Sequence, residues 1–146
     1  MNLNRIKRIK RIREHALKEV EMEYAKLVQE IWRLEKEAEG IDEFRLRLRH
    51  EFVHLQERNN TIRSEELHRV YQFIVHSERI LLSIRHRITS LEKVLEEVRN
   101  RMMEKKIERD IMDKLERRVE VRILQEELKE ERKSTDEKAI QGFFRR

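Results

Sequence analysis

LKEVEMEYAKLVQEIWRLEKEAEGIDEFRLRLRHEFVHL, residues 17–55, decides the fold. Stepping alternately by three and four from Leu17 lands on Val20, Tyr24, Leu27, Ile31, Leu34, Ala38, Ile41, Arg45, Leu48, Phe52 and Leu55. All but Arg45 are apolar. That spacing holds one narrow stripe on one side of an α-helix. A sustained seven-residue repeat winds two such stripes around each other left-handedly.

A second seam starts at Leu67. It passes through Val70, Ile74, Ser77, Leu81, Ile84, Ile88, Leu91, Leu95, Val98 and Met102, with Ser77 the one polar member. Between the seams lies Gln56 to Ser64, QERNNTIRS. Asn59 and Asn60 tolerate left-handed backbone, and Ser64 before Glu65 and Glu66 reads as a helix N-cap. A break this short folds the helices back antiparallel. The expected fold is all-α, a long antiparallel two-helix coiled-coil hairpin forming one domain over residues 1–146. Helix one runs from about residue 3 to 58, the turn over about 59–63 and helix two over about 64–128. A helix of that first length is roughly 80 Å long. Residues 129–146 begin KEERKSTDEK, with no apolar member, and are expected to be frayed or disordered. Two helices bury one thin seam, so burial and ordering entropy nearly cancel, and soft ends are expected.

Composition agrees. The 146 residues include no Pro, two Gly and no Cys. A sheet or α/β domain needs more turn formers. The lack of Cys excludes a disulfide scaffold, a thiol nucleophile and a cysteine-ligated zinc. No apolar run is long enough to span a bilayer. Residues 1–13 lack the apolar core of a secretory signal. These thirteen residues carry Arg5, Lys7, Arg8, Lys10, Arg11 and Arg13 and no acid, whereas the rest of the chain is nearly balanced. The net charge of +5 is thus the property of one basic arm. Such an arm suits an acidic protein surface, an anionic membrane or nucleic acid, or is a simple solvated terminus.

Beyond Met102 the aliphatics Ile107, Ile111, Leu115, Val119 and Ile123 step by four, a stripe expected to drift around the helix opposite Leu3, Ile6, Ile9 and Ile12 of the arm. Off-seam apolar residues gather near the turn: Tyr71, Phe73, Val75, Ile80 and Leu82 on helix two, with Phe44, Leu46 and Val53 on helix one. They read either as a widened core or as an exposed docking patch. Trp32, one residue from the seam, is expected to pack on its edge. His50-Glu51-Phe52-Val53-His54 matches H-E-x-x-H, the helical zinc motif of metalloproteases. Phe52 belongs to the seam, which turns both histidines outward, and a catalytic zinc needs a third ligand and a walled cleft. Asn59-Asn60-Thr61 is a formal glycosylation acceptor without a secretory context. No phosphate loop, nucleophile triad or carboxylate pair is present. The expectation is a non-enzymatic protein without cofactor or metal.

Three further features carry a resemblance. The length and single hairpin fit along nearly the whole chain. Tyr71-Gln72-Phe73-Ile74 opens helix two with an aromatic segment. Arg101 to Glu108, RMMEKKIE, holds a Lys-Lys pair, and Lys133-Ser134-Thr135-Asp136-Glu137 precedes a terminal Phe144-Arg145. In these respects the chain resembles the FliJ family, coiled-coil components of the flagellar type III export apparatus, and their injectisome relatives of the YscO type. The resemblance implies a central stalk of the hexameric export ATPase that also meets the FlhA-like export gate protein and export chaperones. It implies a monomer when free, cytoplasmic and held peripherally at the inner-membrane export apparatus, with no nucleic acid bound. The expected ATPase-binding residues are Arg5, Arg8, Arg11, Lys105 and Lys106. The expected gate-binding residues are Tyr71, Phe73, Ile80 and Leu82. A homo-oligomeric structural coiled coil and a nucleic-acid-binding helical hairpin are the competing readings.

Overall fold

The computed structural model describes residues 2–58 and 64–144. They form two helices, α1 (Leu3–Arg58) and α2 (Ser64–Phe144), packed against each other as an all-α hairpin. The expected turn at 59–63 lies outside the described residues, as does the Asn59-Asn60-Thr61 acceptor. Asn2 starts α1: its side-chain oxygen accepts from the Asn4 N–H at 3.1 Å, and its carbonyl accepts from the N–H groups of Arg5 and Ile6. Those bonds satisfy donors that a helix start otherwise leaves unpaired. α2 opens with Glu65 and Glu66 in its first turn, where acids favour the helix dipole.

The contacts divide the chain into two units, one of residues 21–100 and one of 1–20 with 101–146. In the 21–100 unit the seam follows the three-four count. Ile31, Leu34, Leu81, Ile84 and Val98 are buried, Val98 completely. Both polar seam positions are resolved locally. Ser77 is buried and donates its hydroxyl to the Ile74 carbonyl at 2.8 Å. Arg45 reaches across the seam to Glu78 at 2.9 Å. Arg85 approaches Asp42 at 3.8 Å, so the lower-numbered α1 residue meets the higher-numbered α2 residue and the two segments run antiparallel. Trp32 differs from expectation. It is exposed, and the Lys36 ammonium stands 5.7 Å from its ring centroid. One position off a two-helix seam there is no third element to cover an indole.

In the unit of 1–20 and 101–146 two expectations are corrected. First, the seam neither stops at Leu17 nor drifts beyond Met102. On α1 it continues back through Arg13, Lys10 and Ile6 to Leu3, in three-four steps. On α2 it continues through Lys105, Arg109, Met112, Glu116 and Val119. Ile6 is completely buried, Met112 is buried, and the charged members are half-buried. Ile107 and Ile111, expected to face the arm, are instead 60% and 59% exposed. Second, α2 does not end near residue 128: it stays helical to Phe144, with every side chain from Val121 to Phe144 exposed. The stretch contains no Pro and is rich in Glu, Lys, Leu and Arg, which favour helix even without burial.

Candidate partner-binding surfaces

The arm is two-sided because the heptad makes it so. Lys10 and Arg13 occupy seam positions, and α2 meets them with acids. The Lys10 ammonium lies 2.8 Å from Asp113 and 2.9 Å from Glu116. Arg13 lies 3.2 Å from Glu108. Hydrogen bonds to Asp113 and then Glu116 hold the Lys10 ammonium well above its ordinary range. The bond from Lys10 likewise holds the Asp113 carboxyl below its ordinary value. These cations are therefore committed to the fold.

Arg5, Arg8 and Arg11 fall on the other side. All three are exposed, and none has a carboxylate within ion-pair distance among the described residues. Lys105 and Lys106 part company. Lys105 sits half-buried in the seam and pairs with Glu108 at 3.5 Å, while Lys106 is exposed and has no ion-pair partner among the described residues. Sequence reasoning singled out Arg5, Arg8 and Arg11 for a partner but gave Lys10 and Arg13 no place in the seam. The signal that separates them is the heptad count carried back from Leu17.

The four residues near the start of α2 do not make one patch. Phe73 and Ile80 are seven apart and share a flank of the helix. Tyr71 and Leu82, eleven apart, share another, and two residues separate Tyr71 from Phe73, about 200° around the axis. Phe73 packs edge-on against Phe44, ring centroids 5.2 Å apart, and is 39% exposed. Tyr71 and Leu82 are 65% and 69% exposed. The first flank thus widens the core, and the second faces solvent. Beside the seam a groove of about 310 Å³ is bounded by Asp42, Arg45, Leu46, Arg49 and Ile74.

His50 and His54 are exposed on α1 while Phe52 is half-buried in the seam. Among the described residues no three His, Cys, Asp or Glu side chains converge as metal ligands. No helix among them is long and apolar enough to cross a membrane.

A family model, the flagellar FliJ protein, matches residues 1–146, the whole chain. The chain belongs to the FliJ family. No curated protein and no solved structure matches it. FliJ membership makes the chain a component of the flagellar protein export apparatus. It also agrees with the helical hairpin, since FliJ proteins are structural parts of that apparatus.

Proposed function

We propose that this FliJ-family protein is a stalk-like, non-enzymatic coiled coil of the export apparatus that engages the export ATPase ring through its basic arm. The observation that carries this reading is the division of the arm. Lys10 and Arg13 are spent on α2, whereas Arg5, Arg8 and Arg11 are exposed and unpaired. The α1 start has no acid in its first turn, and Arg5 stands there against the helix dipole. Folding gains little from a cation in that place, and binding an acidic surface gains more. Lys106, exposed and without an ion-pair partner among the described residues, supplies a further contact, and Lys105 supports it from the seam.

The same reading assigns Tyr71 and Leu82, supported by Phe73 and Ile80, to a FlhA-like gate protein. Exposed apolar residues of this size favour a covering partner. Export chaperones remain partners of the same complex, at a cytoplasmic site on the export apparatus. The test is a triple variant, Arg5→Glu, Arg8→Glu and Arg11→Glu, assayed for binding to the hexameric export ATPase and stimulation of its hydrolysis. Both are expected to fall while helicity and melting temperature hold, because none of the three touches the seam. Unchanged stimulation removes the arm from the mechanism.

A further inference from the structure

We infer that α2 carries a second docking face, turned away from its seam, that takes an acidic amphipathic helix of a partner protein. This goes beyond the ATPase and gate surfaces and does not depend on them.

Six apolar residues carry it: Met103, Ile107, Ile111, Val121, Leu124 and Leu128, all exposed. At 3.6 residues per turn they share the side of α2 opposite Lys105, Met112 and Val119, which belong to the seam. The back of a two-helix hairpin meets water and has no need of aliphatics. Earlier along α2 the corresponding side is mostly polar, reading Ser83, His86, Ser90, Lys93 and Glu97, with Leu82 and Val94 its apolar members. The change begins at Met103. An apolar stripe on each of two faces is the pattern of a helix that packs against two neighbours, and α1 supplies one.

Charge says what the other neighbour carries. Lys114 and Arg118 stand between the two apolar groups and Arg122 inside the second, all three exposed and without an ion-pair partner among the described residues. Their neighbours Arg109 and Arg117 are already paired, with Asp110 at 3.1 Å and Asp113 at 3.3 Å. A shallow groove of about 410 Å³ runs past Arg117, Arg118, Val121, Arg122 and Gln125. Aliphatic anchors at three-four spacing with cations between them match a helix that offers its own apolar stripe flanked by Asp and Glu. An anionic bilayer fits less well, because no aromatic residue stands among the cations of the stripe.

The probe is a fluorescein-labelled synthetic helix of about three heptads, with Leu at its two seam positions and Glu at the flanking ones. A matched peptide carries Lys in place of Glu. Fluorescence anisotropy with the full chain is expected to show binding of the Glu peptide and at least roughly tenfold weaker binding of the Lys peptide. Arg118→Glu with Arg122→Glu is expected to reverse that preference, and Val121→Ser with Leu124→Ser to weaken the Glu peptide at least tenfold. All four positions are exposed, so melting temperatures hold and folding does not confound the readout. Equal affinity for the two peptides, no binding of either, or binding indifferent to these substitutions overturns the inference. So does binding to phosphatidylglycerol vesicles lost in the Arg118 and Arg122 variant, which would make the face a membrane surface. A doubling of mass in sedimentation that Val121→Ser removes would assign the face to a second copy and overturn it equally.

Discussion

Lys10 stands where the heptad calls for an aliphatic, and its ammonium lies 2.8 Å from the Asp113 carboxylate. The contact ties the basic arm to α2 and explains why the arm is helix. Lys10→Glu sets three acids against one another at that level. The expected result is faster amide exchange over residues 3–14, with protection of the Leu34 and Leu81 region kept. Lys10→Met replaces the charge with a side chain of similar volume but leaves Glu116 without its cation and Asp113 with Arg117 alone. It is expected to loosen the arm less than Lys10→Glu.

The pH dependence follows from the same pair. Asp113 titrates below its ordinary value of 3.8 in the folded chain, so its contribution is present above that value and is lost as the pH falls through the folded pKa. Lys10 is shifted upward, so its contribution is present below its ordinary value and is lost only at strongly alkaline pH. Arm helicity is expected to be flat through the neutral range and to fall on acidification into and below the ordinary aspartate range. Exchange rates of residues 3–14 across a pH series, after correction for intrinsic exchange, check this. Lys10→Met should flatten the acid limb, and an unchanged limb would assign the acid sensitivity to other carboxylates.

Ile6 and Ile107 are the same residue type in the same unit with opposite burial. Ile6→Ala opens a cavity in the seam and is expected to cost about 2–5 kcal/mol by denaturant unfolding. Ile107→Ala removes an exposed side chain and is expected to stay within about 0.5 kcal/mol. Comparable losses at the two positions would contradict the seam through Lys105, Arg109 and Met112.

Phe73 and Leu82 make the parallel comparison on α2. Phe73→Ala breaks the edge-on pair with Phe44, worth about 0.5–1.5 kcal/mol beyond its buried area, and should lower the melting temperature. Leu82→Ala should leave it unchanged. Binding to a FlhA-like cytoplasmic domain, by calorimetry, is expected to weaken at least roughly tenfold for Leu82→Ala and Tyr71→Ala. Full affinity in both variants would take this flank out of gate binding.

The hairpin was legible because Leu17 to Leu55 and Leu67 to Met102 are long, nearly unbroken apolar repeats, and few folds tolerate that. The open part was misread because an apolar count discards charged residues. Lys10, Arg13, Lys105, Arg109 and Glu116 hold seam positions, and half-burial with salt bridges suffices for long side chains there. Ile107 and Ile111 drew the count to the wrong face. The split of Tyr71 and Leu82 from Phe73 and Ile80 follows from helical pitch alone, whereas the edge contact with Phe44 required the second helix in place. The helix over 129–144 was missed because lack of apolar residues says what a segment cannot bury, not what its backbone does.

That last stretch, Val121 to Phe144, is wound without burying a side chain. Its helix rests on propensity and backbone bonds, so its population varies smoothly with temperature, unlike a seam that opens cooperatively. Fully wound it extends about 36 Å to Phe143 and Phe144. Warming shortens the ordered part and lets those two rings explore a wider volume at a shorter mean distance. The protein therefore presents Phe143 and Phe144 at a reach set by the thermometer rather than by a fixed geometry.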